Sequence, residues 1–576
     1  MRHVTLALSA LLLLLTLAGQ TTAPPHAASY ARYAVAADHP LASQAGAEIL
    51  EAGGNAADAA AASMLALGVV SPASSGLGGG GFGLYYRASD RSVTFLDFRE
   101  MAPGATTETL FARRPGDDDA TAAARSQTGG LAVAVPGEPA GLDALLTRFG
   151  SRRVPRPRIA APAARLAERG WPASRYVSQY ASTFAAVLAG DPLLAGWLDG
   201  PGIPQGRTLR NPALARTLRT FGRSGARAFY RGAIAREIVR AVRARGGLLT
   251  AADLAAYTVR ERAPLEGTFF GRRWVMAPPP SAGGLTMFES LALLERWQPD
   301  GGWQEGPAFR HALAESWKGG FVDRATYLGD PDHASIPVEA LLEGGRLDRR
   351  AARFDPEHAR PASEWQMPLS DEAHPTTQPP SEHGTSHVCV VDGEGNIAAF
   401  TTTVNLPFGA RLSAAGMLLN DEMDDFGREV GVPNAFGLPG GEANLPRPGR
   451  RPVSTMSPTL VFEGGLPAFC AGGSGGSRIV TATEQVLLFA MLLHDPMGDA
   501  VARRRVHHQG VPATLSVERG LDPTLRAALE ARGHATAEVE VSANVQAIHL
   551  ERDAEGRVRA LHAASDLRKD GEPRGR

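Results

Sequence analysis

The sequence predicts an α/β fold of the mixed, α+β kind, and three observations carry that prediction. Of 576 residues, 44% are hydrophobic and 65 are glycine, a composition suited to a packed core rather than a disordered chain. The stretch from Gly137 to Tyr257 is rich in alanine, arginine and leucine at helical spacing. From Val388 onward the apolar residues alternate as strands require. At this length the chain holds either two to four modest domains or one large continuous core.

Met1-Arg2-His3, an apolar run from Val4 to Leu17 and the small polar residues Thr21-Thr22-Ala23 read as a secretory signal peptide, with cleavage near Ala23 or Ala28. Residues 1–28 are therefore set apart from the mature chain. The run is short for a membrane anchor and no later segment is apolar enough to span a bilayer, so the expected location is periplasmic or secreted. His39–Ala52 and Asn55–Val69 read as helices separated by Gly53-Gly54, with Asn55 as N-cap and Asp58 in the favoured first turn. The glycine run Gly76–Phe82 precedes a strand at Leu84–Tyr86. It permits close backbone approach, to a ligand or to another strand, and has no Walker-type lysine. Helices follow at Pro139–Phe149, Ile159–Arg169, Ala233–Arg245, Leu285–Arg296 and Ala308–Arg324. The later strands are Val388–Val391 and Ile397–Val404, turning at Gly393–Asn396, then Thr459–Phe462 and Leu466–Cys470 ahead of a helix at Ser477–Leu493. Val430–Pro452, rich in glycine and proline, reads as a surface loop.

A net charge of -1, from 59 basic and 60 acidic residues, argues against nucleic acid or anionic membrane as a partner. Lys318 and Lys569 are the only lysines. Cys389 and Cys470 sit in apolar runs; an oxidising compartment would let them pair, but the settings are those of buried free thiols. Neither has a second cysteine or histidine at ligand spacing, and no metal or organic cofactor is called for.

The chemistry concentrates at Gly384-Thr385. A proline-rich loop from Arg360 leads into this pair and a strand leads out of it. A threonine freed by a cut at that bond carries its own base, an α-amine with a reference pKa of ~7.7–8.0. From this segment alone Thr385 reads as the start of an ordinary strand. A rival motif is Gly472-Gly473-Ser474-Gly475-Gly476, which fits the serine nucleophile elbow, with Asp499, Asp522, His507, His508 and His534 as further triad members. That reading leaves Thr385, Arg99 and the acidic cluster around Asp425 without roles.

The chain resembles the γ-glutamyltranspeptidases over nearly its whole mature length. The resemblance is carried by Gly53–Asp58, Gly76–Phe82, Asp97–Pro103, Tyr230-Arg231-Gly232, Asp253–Tyr257, Pro278–Gly284 and Asp323-Arg324. It continues through Thr385–Asp392, Thr403-Val404-Asn405, Asn420–Phe426, Ser454–Pro458 and Gly472–Arg478. It implies a four-layer αββα sandwich of the N-terminal-nucleophile type, one domain built from a large subunit (29–384) and a small subunit (385–576). These would arise by self-cleavage after Gly384. The implied roles are Thr385 as nucleophile, Thr403 as its steadying hydroxyl, and Gly475 and Gly476 as oxyanion donors. Arg99 with Ser454 and Thr455 would hold the α-carboxylate, and Asn405, Glu422 and Asp425 the α-ammonium, of a γ-glutamyl donor. The implied reaction is cleavage of the γ-glutamyl amide of glutathione and related compounds, with transfer to water, an amino acid or a peptide. An acylase, a poly-γ-glutamate-processing enzyme and an inactive binding homologue are the alternatives. Three positions depart from the family pattern: Ser386, where threonine is usual, Cys389, where serine is common, and Phe436, where many bacterial relatives carry a lid tyrosine. The first two are small enough to keep the strand. Phe436 predicts a lid that covers the pocket by apolar contact and opens more readily.

Overall fold

The computed structural model describes residues 26–369 and 384–576. The apolar signal segment and most of the proline-rich approach to Thr385 lie outside them. Two seven-stranded antiparallel sheets are stacked, with helices on both outer faces.

The strands are β1 (Ala27–Tyr30), β2 (Ala34–Ala37), β3 (Gly80–Arg87), β4 (Ser92–Phe98), β5 (Arg260–Arg262), β6 (Leu265–Phe269) and β7 (Arg272–Met276). They continue with β8 (Gly384–Val391), β9 (Ile397–Asn405), β10 (Thr459–Glu463), β11 (Leu466–Ser474), β12 (Asn544–Arg552), β13 (Val558–Ser565) and β14 (Arg574–Gly575). One sheet runs β14-β2-β8-β9-β3-β4-β5, the other β1-β13-β12-β11-β10-β7-β6. Strand β8 lies between two partners, and both of its faces are covered. Cys389 and Val391 point into the layer between the sheets, with Phe82, Leu460, Cys470 and Ile548. Val388 and Val390 point the other way, into the first helical layer. Burial on both faces explains a nearly unbroken apolar run, and each buried Val, Leu or Phe contributes roughly 1.5–3 kcal/mol.

Helices α1 (Pro40–Glu51) and α2 (Ala56–Val70) cover the β8 sheet. His39 caps α1, and Asn55 with Asp58 forms the capping box of α2, the arrangement those residue types favour. Helices α3 (Gly283–Arg296), α4 (Pro307–Tyr327) and α5 (Arg478–Leu492) cover the second sheet. The Ala- and Arg-rich middle supplies further helices: Glu138–Phe149 packs beside α2 on β3 and β4, Arg156–Arg169 packs against α2, and Ala233–Ala244 lies farther out. The expected αββα sandwich is present.

The glycine run serves strand packing rather than a ligand. A Cβ on Gly79 would lie 1.8 Å from the Thr403 carbonyl oxygen, and one on Gly81 2.1 Å from that of Thr401. Cys389 and Cys470 are buried free thiols. The Val430–Pro452 segment departs from expectation: it is not simply a surface loop, because Phe436, Leu438, Asn444, Arg450 and Arg451 are all buried.

Candidate active site

Thr385 is the second residue of β8, and the register with β9 shifts there, Gly384 facing Asn405 and Ser386 facing Thr402. Such an irregularity frees a side chain from the ladder and re-aims it. The Thr385 hydroxyl donates to the Gly384 carbonyl oxygen at 2.7 Å, and the Thr403 hydroxyl donates to the same oxygen at 2.9 Å. The two hydroxyl oxygens are 3.3 Å apart. Thr403 is itself fixed by the Asn405 amide, 2.8 Å from its hydroxyl. A Cβ at position 384 would lie 2.4 Å from the Ala73 carbonyl oxygen, so the residue before Thr385 has room only for hydrogen.

A pocket opens beside these hydroxyls. It is lined by Arg99, Arg324, Thr385, Thr403, Asn405, Glu422, Asp425, Phe436, Ser454, Thr455 and Gly476, with Leu438, Val453, Met456 and Ile479. Arg99 follows β4 and is buried, its backbone amide held by Asp97 at 3.0 Å. Its guanidinium is clasped by Glu422 and Asp425, with Glu100 at 3.4 Å. The two carboxylates stand on one short 3₁₀ turn, Glu422–Asp425, which projects both toward the arginine. Asp421 and Asp424 have other duties. Asp421 accepts the Leu406 amide at 3.0 Å, and Asp424 accepts the Ser126 hydroxyl at 2.5 Å and the Ala435 amide at 3.0 Å.

Burial opposes every charge here, and the outcome depends on what each group faces. Desolvation pushes Glu422 up to about 8 and Asp425 up to about 6, with Arg99 pulling both back only in part. Burial also works against the Arg99 charge, but Glu422, Asp425 and Glu100 outweigh it and hold the guanidinium protonated. Glu422 Oε2 has no hydrogen-bond partner among the described residues. The site therefore presents the Arg99 cation to a carboxylate and, from the single turn facing it, carboxylates with spare acceptor capacity to an ammonium. An arriving ammonium favours the ionised carboxylates, so binding expels a proton wherever the free pocket holds one. The KM for an α-amino acid donor is expected to fall as pH rises from about 6 to about 8, by up to about tenfold per unit for one proton. Steady-state kinetics across that window check this, and Glu422→Gln is expected to flatten the upper part.

Ser454 and Thr455 line the same pocket, held from behind. Thr455 donates to the Gly476 carbonyl at 2.9 Å, and the Ser454 hydroxyl accepts the Met456 amide at 3.1 Å. Gly475 and Gly476 take φ +137° and +59° in the turn entering α5, a conformation that glycine supplies without strain. Gly476 lines the pocket, whereas Gly475 lines a neighbouring cleft with Tyr176, Arg478 and Ser542. Asn405 is at the pocket in the left-handed region, φ +75°, with its side-chain amide given to the Asp421 carbonyl at 3.1 Å.

Phe436 and Leu438 line one side of the pocket, and the segment that carries them is held by hydrogen bonds as well as by apolar contact. Asn434 reaches Asp425 at 3.4 Å, the Ala435 amide is on Asp424, and Gln509 donates to the Phe436 carbonyl at 3.3 Å. The serine-elbow alternative finds no triad. Ser474 donates to Asp38 at 3.1 Å, while His507 bonds Thr481 and Gln509, His508 accepts the Gly510 amide, and His534 bonds His311. Asp522 caps a surface helix. His311, Glu315 and His534 are close enough to share an ion. Lys318 already occupies Glu315 Oε1 at 2.6 Å and the two imidazoles bond each other at 2.8 Å, so the group is satisfied as it stands.

Sequence reasoning assigned no role to Arg324, whose buried guanidinium lines the pocket and donates to the Pro439 carbonyl at 3.0 Å. Its only signal was membership in the Asp323-Arg324 block. The residues behind Thr385, Asp38 and Lys569, were also missed.

A model of the γ-glutamyltranspeptidase family matches residues 42–575. The glutathione hydrolase proenzyme of Escherichia coli is 36% identical over 541 residues, covering 93% of this chain and 90% of that protein. The acylase ACY 1 proenzyme of Pseudomonas sp. is 33% identical, covering 95% and 94%. The crystal structure of cephalosporin acylase from Bacillus halodurans superposes with a TM-score of 0.80 at 26% identity, covering 96% of this chain and 97% of that one. With the family model matching almost the whole described chain and relatives above 30% identity aligned over about nine-tenths of their length, the chain belongs to the γ-glutamyltranspeptidase family.

Proposed function

We propose that this protein is a self-cleaving γ-glutamyltransferase and glutathione hydrolase whose nucleophile is Thr385. The observation that carries the reading is the pocket beside Thr385, where Arg99 stands between Glu422 and Asp425. Only a ligand end bearing both an α-carboxylate and an α-ammonium answers both signs of charge. The side chain of such an end extends its γ-carbonyl toward Thr385.

In the precursor the Thr385 hydroxyl attacks the Gly384 carbonyl carbon, and Thr403 donates to the oxygen that becomes negative. The Gly384–Thr385 C–N bond breaks as the acyl group passes to the hydroxyl oxygen and the hydroxyl proton passes to the departing nitrogen, so that Thr385 gains a free α-amine; water then hydrolyses the ester, leaving a carboxylate on Gly384 and restoring the Thr385 hydroxyl. That amine then accepts the Thr385 hydroxyl proton as the oxygen attacks the donor's γ-carbonyl, and Gly475 and Gly476 supply backbone donors to the tetrahedral oxyanion. The amine leaving group departs with a proton, and water or an amino acid resolves the γ-glutamyl ester. Large and small subunits meet at residues 384 and 385. Export follows from the amino-terminal segment, and a signal cut near Ala23 leaves β1 whole, whereas one at Ala28 would divide it. No helix among the described residues is long and apolar enough to cross a membrane.

A second reading, an acylase taking a donor without an α-amine, is kept because an acylase proenzyme is 33% identical. The two are separated by comparing γ-glutamyl and glutaryl anilides. The expected result is a preference for the γ-glutamyl compound of roughly 10²-fold or more in kcat/KM, because the glutaryl end leaves buried acceptors unpaired. Preference for the glutaryl compound would establish the acylase.

A further inference from the structure

Two buried charged residues behind the nucleophile have no part in the chemistry above. Asp38 directly follows β2 and is fully buried, and each of its carboxylate oxygens takes two groups. Oδ1 accepts from Gln546 Nε2 at 2.7 Å and from the His387 amide at 3.4 Å. Oδ2 accepts from Lys569 Nζ at 2.8 Å and from the Ser474 hydroxyl at 3.1 Å. Lys569, also buried, gives a second hydrogen bond to the Thr385 carbonyl oxygen and lies over the Tyr176 ring, 4.6 Å from its centroid. It is one of two lysines among 59 basic residues.

These bonds join the two parts of the catalytic centre that must keep register. Thr385 carries the attacking oxygen; Ser474 immediately precedes Gly475 and Gly476. Both are referred to the same carboxylate, one through Lys569 and one directly. We propose that Lys569, held by Asp38, is a positioning residue for Thr385 that sets the nucleophile against the Gly475-Gly476 turn and biases the freed Thr385 α-amine toward its neutral, base form.

The first half rests on geometry, since a misplacement of about 1 Å between reacting groups costs about 10²-fold in rate. The second rests on Coulomb's law. An ammonium bonded to the carbonyl of Thr385 is a close neighbour of that residue's own amine, and a nearby positive charge disfavours a second one. Other charged groups face Thr385. Arg99, Arg324, Glu422 and Asp425 stand across the pocket, and Arg478 opens α5. The neighbouring imidazoles are neutral: burial pushes His387 down to about 3 and His39 to about 4. Lys569 and Asp38 are the pair on the backbone side, and their effects on the amine have opposite sign.

The proposal depends on Thr385 being the amino-terminal nucleophile, so the test separates the two claims. Full-length enzyme is prepared as wild type, Lys569→Met, Lys569→Arg and Asp38→Asn. Processing is followed by gel and amino-terminal sequencing, and kcat is measured against pH at saturating γ-glutamyl anilide. The acidic limb of that profile reports the base in the complex. In Lys569→Met the limb is expected to move up by about one pH unit, with kcat down about 10- to 100-fold and KM within about threefold. In Asp38→Asn, which leaves the ammonium unneutralised, the limb is expected to move down. Lys569→Arg is expected to restore the wild-type limb. If Lys569→Met does not mature, Asp38→Asn and Lys569→Arg decide. Limbs that stay in place, or that move the same way in both neutralising variants, overturn the proposal while leaving a processed, Thr385-dependent enzyme. A Thr385→Ala protein that is still active overturns the parent reading instead.

Discussion

Thr385→Ala is expected to remain one uncut chain and to lose γ-glutamyl transfer and hydrolysis together, by on the order of 10⁴-fold or more. On the proposed mechanism the substitution removes a single hydroxyl that serves twice. That hydroxyl is 2.7 Å from the oxygen of the Gly384 carbonyl, the group the proposal has it attack, with the Thr403 hydroxyl 2.9 Å from the same oxygen. Denaturing electrophoresis with amino-terminal sequencing reads the first function and an anilide assay the second. Thr385→Ser keeps an attacking oxygen but loses the methyl that restricts its rotamer, so slow maturation with residual activity is expected. Thr403→Ala should behave differently again. It keeps the nucleophile but removes one donor to the scissile carbonyl, and a loss of about 10²–10³-fold in the rate of self-cleavage is expected. A Thr385→Ala chain that matured normally would remove the mechanism outright.

The second large effect is expected at Arg99. Arg99→Met leaves Glu422, Asp425 and Glu100 facing one another in a buried pocket without their shared cation. Breaking a buried ion pair from one side costs ~3–5 kcal/mol, so the variant should be measurably less stable as well as unable to hold an α-carboxylate. Arg99→Lys is more informative. It keeps the charge but not the fork that touches two carboxylates at once. A loss of ~1.5–3 kcal/mol in transition-state binding is expected, roughly 10- to 150-fold in kcat/KM, with most of it in KM. Thermal unfolding and steady-state kinetics on both variants separate the structural part from the binding part. Unchanged KM in Arg99→Lys would move the α-carboxylate site elsewhere in the pocket.

Much of this site was legible in the sequence through the resemblance, because its members sit in short blocks that match the family in order, whereas the residue types alone allow ion pairs, turns and solvated faces. Arg99, the Glu422–Asp425 turn, Ser454-Thr455 and Gly475-Gly476 all come together around the Thr385 pocket or its edge. Helix caps were legible for a similar reason, since Asn55 and Asp58 satisfy each other within three residues. What the sequence hid was long-range pairing. Asp38 and Lys569 are 531 positions apart, and neither has local neighbours that betray a charge in the core. The lid was misjudged on composition. Glycine and proline from Val430 to Pro452 suggest solvent, but Gln509 and Arg324 reach in from distant segments, and Asp424 from the turn just before it, to satisfy its backbone.

The strand order has a consequence for what the mature molecule is. With a cut after Gly384, the β8 sheet reads small, large, small, small, large, large, large across β14-β2-β8-β9-β3-β4-β5. The second sheet begins with a large-subunit strand, continues with four from the small subunit and ends with two from the large. The two polypeptides are thus woven through both sheets, and no plane separates them without opening hydrogen-bonded ladders and the core between. Dilution cannot take such a dimer apart: its subunits have no equilibrium of exchange, and separation is the same event as denaturation. The enzyme behaves as one folding unit that happens to have four chain ends, and a protomer cut once keeps the partner it was born with.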